Sequence, residues 1–191
     1  MSLPADFVAR AQSFYELLRK WNSTTNLTAL PLEGYANESI DRLLIEPLIA
    51  AELIPNESAF CVDVGSGGGS PAIPFVLARP LVRLLMVEST AKKAAFLREA
   101  VRTIQLQQAE VKQARFEDVA AELKHTIDFL LIRGVRITPN LSKSLQLGLK
   151  KDGKLFAFGT SPDLPQFNWR LTNQRQLAGP SALQIFQVVD Q

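Results

Sequence analysis

A chain of 191 residues with 47% hydrophobic residues is long enough to form one globular domain with a sizeable core. Charged residues make up 21% of the sequence and the formal net charge is +2, which excludes a disordered acidic or basic chain. A single cysteine excludes an intrachain disulfide, and one cysteine with one histidine argues against a transition-metal site. We therefore expect no bound metal.

The N-terminal part of the sequence predicts helices rather than a targeting segment. Residues 4–21 carry apolar side chains at the spacing of an amphipathic helix, and a second helical stretch runs from 34 to 53, where Pro47 predicts a kink or a division. Residues 1–12 lack the regions of a signal peptide, and charges interrupt the longest apolar stretch, 73–87. We expect residues 1–55 to be a helical extension or lid, and the protein to be cytoplasmic with no membrane partner.

From residue 59 onward, short apolar strands alternate with helices. Strands are predicted at 59–64, 82–88, 109–114, 127–134 and 154–159, the last after a turn at Asp152 and Gly153, and helices at 71–79, 90–106, 116–124 and 141–150. This alternation predicts a mostly parallel sheet covered on both faces. Two final strands, 167–177 and 182–190, have no helix between them and predict an antiparallel hairpin. Residues 56–191 would form the sheet core of a single domain, 1–191.

A glycine-rich loop, GSGGGS at 65–70, follows the first predicted strand, where open parallel sheets bind their ligands. Ser70 stands where a dinucleotide fingerprint has its sixth-position glycine, and we expect Ser70 to cap the next helix. Glu88 ends the second strand, where a carboxylate accepts the hydroxyls of a ribose. NAD(H) and S-adenosylmethionine both suit this pattern, and a strand-to-helix turn without a ligand is the third reading.

Two further strand ends carry candidate site residues. Phe116 and Glu117 follow the third strand, where an aromatic group packs on adenine and a polar group meets its edge; the alternative is that Phe116 belongs to the core. Arg133 ends the fourth strand, where substrate-facing groups concentrate, and the alternative is a solvated strand end. A nicotinamide oxidoreductase is disfavoured because no Tyr-x-x-x-Lys or histidine proton donor lies near the loop.

Three segments of the sequence resemble the RsmG (GidB) methyltransferases. They are YELLRKWNSTTNLTAL at 15–30, VDVGSGGGSPAIPFVLARP at 62–80 and KKAAFLREAV at 92–101, and the similarity runs in order over residues 10–160. The resemblance implies a Rossmann-like class I methyltransferase fold with a seven-stranded sheet. It also implies methyl transfer from S-adenosylmethionine to N7 of a guanine in 16S ribosomal RNA, so that ribosomal RNA or the small ribosomal subunit is the expected partner.

The resemblance also implies which residues form the site. The loop from Gly65 to Ser70 would hold the amino acid part of S-adenosylmethionine, Glu88 its ribose, and Phe116 with Glu117 its adenine. Arg133 would lie beside the cofactor and orient the target base. The complete expected cofactor set is Asp63, Gly65, Ser66, Gly67, Gly69, Ser70, Glu88, Ser89, Phe116, Glu117 and Arg133.

The sequence departs from the family pattern on the substrate side. Arg42 stands where the family has a histidine before Leu-Leu-Asp-Ser, and the segment continues as Leu-Leu-Ile-Glu-Pro. Gly134, Val135 and Arg136 replace an Ala-Phe/Val-Ala sequence, and Phe158 with Gly159 lacks the usual lysine. These departures leave open a non-catalytic RNA- or ribosome-binding paralogue and a small-molecule methyltransferase.

Basic residues near the predicted cleft are the candidates for RNA contact. Four other basic residues, Lys92, Lys93, Arg98 and Arg102, share one predicted helix and are interpreted as its solvated face. The sequence does not define the oligomeric state, and we expect a monomer. The candidate RNA-binding residues are Arg19, Lys20, Arg42, Arg133, Arg136 and Lys143.

Overall fold

The computed structural model describes residues 2–159, Leu164 and residues 168–189. Seven helices lie in this part of the chain: α1 (Phe7–Asn22), α2 (Asn37–Ile40), α3 (Glu46–Glu52), α4 (Ala72–Ala78), α5 (Ala91–Thr103), α6 (Phe116–Val119) and α7 (Pro139–Gly148). A 3-10 turn (Glu33–Tyr35) and a π turn (Asp41–Ile45) flank α2. The strands are β1 (Ala59–Val64), β2 (Val82–Val87), β3 (Ala109–Lys112), β4 (Ile127–Arg133), β5 (Leu149–Gly159), β6 (Trp169–Gln176) and β7 (Ala182–Val188).

The seven strands form one sheet in the order β3-β2-β1-β4-β5-β7-β6. The first five strands pair in parallel, and β7 is antiparallel to both β5 and β6. The predicted mixed sheet with its terminal hairpin is confirmed. Strand order reverses between β1 and β4, so the crevice beyond the carboxyl ends of these two strands is the place where such a sheet binds ligands.

The sheet is covered on both faces by apolar side chains. On one face, α1, α3, α4 and α5 bury a continuous cluster that includes Phe14, Leu18, Phe75 and Phe96. On the other face, α6 and α7 cover a second cluster around Leu145. Because α1 shares its cluster with α4 and α5, the helical extension is packed onto the sheet. Tyr15 of α1 is buried, and its hydroxyl donates a hydrogen bond to the carbonyl of Leu32.

Several local predictions from the sequence were wrong. The expected helix at 116–124 ends at Val119 and continues as turns. The expected turn at Asp152 and Gly153 lies inside β5, which begins at Leu149 with a register irregularity opposite β4. The helix expected at 141–150 starts at Pro139, because the Thr138 hydroxyl accepts the N–H of Leu141 at 3.2 Å and caps it.

The predicted cap at Ser70 was also wrong. Helix α4 begins at Ala72 after Pro71, with no side-chain cap hydrogen bond. The Ser70 hydroxyl instead donates to the carbonyl of Leu43, at 2.9 Å, in the π turn of the helical extension. This partner is 27 positions away in the sequence, so no local pattern reveals it.

The terminal hairpin extends the sheet within the described residues. The predicted strands 167–177 and 182–190 correspond to β6 and β7, but their end residues Phe167 and Asp190 lie outside the described part of the chain. The only cysteine, Cys61, is buried in β1 as expected for a small core residue. Among the described residues, no helix is long and apolar enough to cross a membrane.

Candidate functional site

The glycine loop leaves β1 in a conformation that requires glycine. Gly65, Gly67 and Gly69 have φ angles of +72°, +48° and +82°, in the left-handed region. A Cβ atom on Gly65 would lie 2.6 Å from Cγ2 of Val135, so the loop packs closely against the segment after β4. The Gly65 and Ser66 N–H groups both donate to the carbonyl of Val87, at 2.8 and 3.2 Å, which ties the loop to the end of β2.

Asp63, in β1 just before the glycine loop, is buried beneath the loop and does not line the cavities beside it. Its side chain is 1% exposed, and the Ser66 hydroxyl donates to its backbone carbonyl at 3.0 Å. Burial raises the pKa of Asp63 to about 7, against the opposing effects of Ser66 and the positive charge of Arg133. Asp63 is therefore a buried carboxyl group at the base of the loop.

Glu88 is clamped beside the same loop. Its Oε2 atom accepts the N–H of Gly67 at 2.9 Å, and its Oε1 atom accepts the N–H of Thr90 at 2.7 Å. The side chain is 6% exposed and lines the cavity above the loop. Because each carboxylate oxygen has two acceptor positions, Glu88 retains the capacity to accept hydroxyl donors from a ligand in the cavity.

Two adjoining cavities meet at Gly65 and Val135, both of which line each of them. The larger one, called here the loop lobe, has a volume of about 680 Å³, and the smaller one, the aromatic lobe, about 310 Å³. Of the predicted cofactor residues, the loop lobe brings together Gly65, Ser66, Gly67, Ser70, Glu88 and Arg133, and the aromatic lobe adds Ser89, Phe116 and Glu117. Asp63 and Gly69 line neither lobe.

The predicted RNA contacts do not form one surface. Arg42 lines the loop lobe and Arg136 the aromatic lobe. Arg19 and Lys20 lie on a separate concavity beside α1, where Arg19 forms ion pairs of 2.9 Å with Glu16 and 3.1 Å with Glu33. Lys143 faces a third concavity next to His125, outside both lobes.

Sequence reasoning missed part of the lining. Residues 27–30 form one wall of the loop lobe, and Asn22 holds them there: its Oδ1 accepts the N–H groups of Leu27 and Thr28 at 2.9 and 3.0 Å, and its Nδ2 donates to the Thr28 carbonyl at 3.1 Å. Lys93, predicted from the sequence to lie on a solvated helix face, also lines the loop lobe. The Trp-Asn-x-x-x-Asn-Leu-Thr pattern at 21–28 was the sequence signal that could have revealed the wall formed by residues 27–30.

Arg133 lies at the end of β4, where its guanidinium has many partners. Nη2 donates to Oε2 of Glu46 at 2.6 Å, and Nη1 donates to the carbonyl of Arg42 and contacts the Ser70 hydroxyl at 3.4 Å. The ring of Phe158 covers it, with Cζ 4.7 Å from the ring centroid. Burial lowers the pKa of Arg133 to about 10, opposed by Glu46, so the side chain is charged at neutral pH.

No cluster of three or more histidine, cysteine, aspartate or glutamate side chains that could hold a metal ion occurs in the described residues. The carboxylates that line the loop lobe are Glu88 and Glu38, and the cations are Arg42, Lys93 and Arg133. The site is therefore a glycine loop, a clamped carboxylate and a group of cations, arranged around two connected lobes.

Comparison with solved structures defines the class to which this fold belongs. A methyltransferase from Aquifex aeolicus described as S-adenosylmethionine-dependent superposes with a TM-score of 0.66 over 92% of this chain and 98% of its own, at 11% identity. A putative S-adenosylmethionine-dependent methyltransferase from Methanococcus maripaludis gives 0.62 over 81% and 90%, at 14% identity. The fold is that of the class I methyltransferases.

Sequence comparison identifies the family. A family model described as rRNA small subunit methyltransferase G (GidB) matches residues 8–171, and the chain belongs to this family. A ribosomal RNA small subunit methyltransferase G of Xanthomonas campestris is 41% identical over 120 residues, which are 62% of this chain and 53% of that protein. One from Xanthomonas oryzae is 33% identical over 190 residues, covering 94% and 84%. With the first of these, the chain aligns over about half of the relative's length.

Proposed function

We propose that this protein transfers a methyl group from S-adenosylmethionine to small-subunit ribosomal RNA, at N7 of a guanine. The observation that carries the proposal is Glu88, held by two backbone N–H groups beside a left-handed glycine loop, at the switch point of a class I methyltransferase sheet. Membership of the GidB family and relatives named for small-subunit ribosomal RNA support the choice of acceptor.

The two lobes fit the parts of S-adenosylmethionine. The backbone of the loop at 65–70 can approach the amino acid part closely because Gly65 has no side chain. A Cβ atom there would lie 2.6 Å from Cγ2 of Val135, the residue that lines both lobes together with Gly65. Glu88 accepts the ribose hydroxyls, and the aromatic lobe, lined by Ser89, Phe116 and Glu117, receives adenine. The bound cofactor supplies an electrophilic methyl group on its sulfonium.

Guanine N7 carries a free lone pair and no proton, so its methylation requires no general base. Positioning of two reactants can supply on the order of 7–11 kcal/mol of the barrier. In this chain the loop lobe would position the guanine against the methyl group. One wall of this lobe contains Arg42, Leu43, Ser70 and Arg133. We propose that Arg133 orients the base indirectly, through the groups that it holds in this wall, since both of its terminal nitrogens already donate to protein groups.

The test is methyl transfer from labelled S-adenosylmethionine to isolated small ribosomal subunits and to deproteinised small-subunit RNA. Mass mapping of the product should place the label on one guanine as an N7-methyl group. Glu88→Ala should weaken binding of S-adenosylmethionine at least tenfold in calorimetry, because it removes the ribose acceptor. Glu57→Ala is a matched control, because Glu57 is exposed and lines neither lobe.

The alternatives give different results in the same experiment. A non-catalytic RNA-binding paralogue would bind subunits without transferring label, and a small-molecule methyltransferase would bind S-adenosylmethionine but leave every RNA unlabelled. A heat of binding for NAD but not for S-adenosylmethionine would contradict the cofactor assignment. With ribosomal RNA as acceptor, we propose that the protein acts in the cytoplasm on the small subunit, as a monomer.

A further inference from the structure

The wall of the loop lobe that contains Arg42 and Arg133 depends on Glu46, a residue that does not itself line the lobe. Glu46, the first residue of α3, is 2% exposed, and it contacts the two arginines of that wall. By the resemblance described above, the corresponding family position in Leu-Leu-Asp-Ser is a serine. Glu46 therefore introduces a buried negative charge at the place where this chain differs from the family pattern.

The backbone around Glu46 explains why the two arginines meet there. In the π turn, the N–H of Glu46 donates to the carbonyl of Asp41 rather than to that of Arg42, and Pro47 has no N–H to offer Leu43. Two consecutive carbonyls are thereby released from the helix. Arg133 donates to the first, that of Arg42, and the Ser70 hydroxyl donates to the second, that of Leu43.

The two arginines are held very differently by the same carboxylate. Arg133 is 16% exposed and donates to Glu46 at 2.6 Å, with its remaining contacts directed to protein groups. Arg42 is 33% exposed, its Nε lies 3.6 Å from Oε1 of Glu46, and within the described residues its guanidinium donates no hydrogen bond. Arg42 lines the loop lobe. Its terminal nitrogens are therefore the ones available to a ligand.

We propose that Glu46 is a positioning residue that fixes Arg133 in the wall and directs the Arg42 guanidinium into the loop lobe, where Arg42 binds a phosphate of the acceptor RNA. A guanidinium suits this task because its planar donors match two phosphate oxygens, and a neighbouring carboxylate restricts its orientation. This inference rests on the proposed function, since it assigns the RNA contact of the same site.

The decisive variant is Glu46→Gln, which keeps the size of the side chain and removes its charge. We expect the KM for small ribosomal subunits to rise about tenfold, with kcat and the Kd for S-adenosylmethionine within about threefold of the parent protein. Arg42→Gln should raise the same KM to a similar extent. In the double variant the two increases should not multiply, because both remove one contact. Glu57→Gln is the control for the loss of one carboxylate.

A purely structural role would give another pattern. It would lower the thermal midpoint and weaken S-adenosylmethionine binding together, with no selective change in the KM for subunits. Glu46→Asp retains the charge, so its KM for subunits should rise less than that of Glu46→Gln. If Glu46→Gln does not fold, Arg42→Gln decides alone, because its side chain is partly exposed: an unchanged KM for subunits overturns the inference.

The outcome also separates this inference from the proposed function. If the parent protein methylates subunits and both single variants leave KM unchanged, or if their effects multiply in the double variant, the inference is overturned and the function stands. If the parent protein transfers no methyl group to subunits or to RNA, the proposed function fails and the inference fails with it.

Discussion

The carboxyl group of Asp63 illustrates how one residue in this fold links stability to pH. Burial raises its folded-state pKa to about 7, above the value of 3.8 for an aspartate in water. The folded state therefore binds the proton more tightly than the unfolded state. The stabilising contribution is complete below the unfolded pKa and is lost as the pH rises through the folded pKa.

Asp63→Asn isolates this effect because the amide does not titrate. We expect the free energy of unfolding of the parent protein, relative to that of the variant, to fall as the pH rises from about 4 to about 7. Urea unfolding of both proteins across this range measures the difference, and the pH dependence of groups that do not interact with Asp63, such as Glu46, cancels. A difference that stays constant or rises with pH would contradict the assignment.

At the level of elements, Asn22 at the end of α1 organises the wall formed by residues 27–30. Its amide makes three hydrogen bonds to this segment, and the carbonyl of Leu27 lies 3.2 Å from where a Cβ atom of Gly68 would be. Asn22→Ala should destabilise the fold by about 1–3 kcal/mol, because three partly buried backbone groups lose their partners. It should also weaken S-adenosylmethionine binding, because the wall rests against the glycine loop.

Urea unfolding and calorimetry together check this expectation. Ser23→Ala is a suitable control, because the exposed Ser23 hydroxyl donates only to the carbonyl of Lys20. Asn22→Asp keeps the two acceptor contacts and loses the donor, so it should fall between the parent protein and Asn22→Ala. Equal stability of Asn22→Ala and Ser23→Ala would show that the amide does not hold the wall.

The strands and the glycine loop could be predicted from the sequence because their signals are local. Apolar runs bounded by turn residues define β1, β2 and β4, and the positive φ angles of the loop coincide with glycines. The interior of the helical extension could not be predicted, because Pro47 indicated a division but not the π turn before it. The role of Ser70 was missed for a related reason: the carbonyl that it binds is released by that distant turn.

The distribution of charge over the whole molecule restricts where RNA can be bound. Several surface cations are already paired, including Arg19 with Glu16, Arg102 with Glu99 and Lys150 with Asp128. Exposed pairs of this kind contribute little to stability, but they reduce the local positive field. Pairing therefore reduces the number of cations that attract phosphate, and the partly exposed cations of the loop lobe, Arg42 and Lys93, are the candidates.

Lys92 and Lys93 are adjacent residues of α5, and substituting each in turn tests whether RNA phosphate binds at the loop lobe. Lys93 lines the loop lobe, whereas Lys92 is exposed and lines neither lobe. Each phosphate contact contributes a slope of about −0.7 to a plot of log K against log salt concentration for single-stranded RNA. Lys93→Gln should therefore weaken RNA binding and make that slope shallower by about 0.7, the value of one phosphate contact. Lys92→Gln should leave the slope unchanged.

Fluorescence anisotropy with a small-subunit RNA fragment, measured over a series of salt concentrations, gives both slopes. The comparison is informative because both substitutions remove the same charge from the same helix, so the net charge of the protein is identical. Equal slopes for the two variants would mean that RNA responds only to the net charge of the molecule. A change confined to Lys93→Gln would instead locate a phosphate at the loop lobe, next to the wall that contains Arg42.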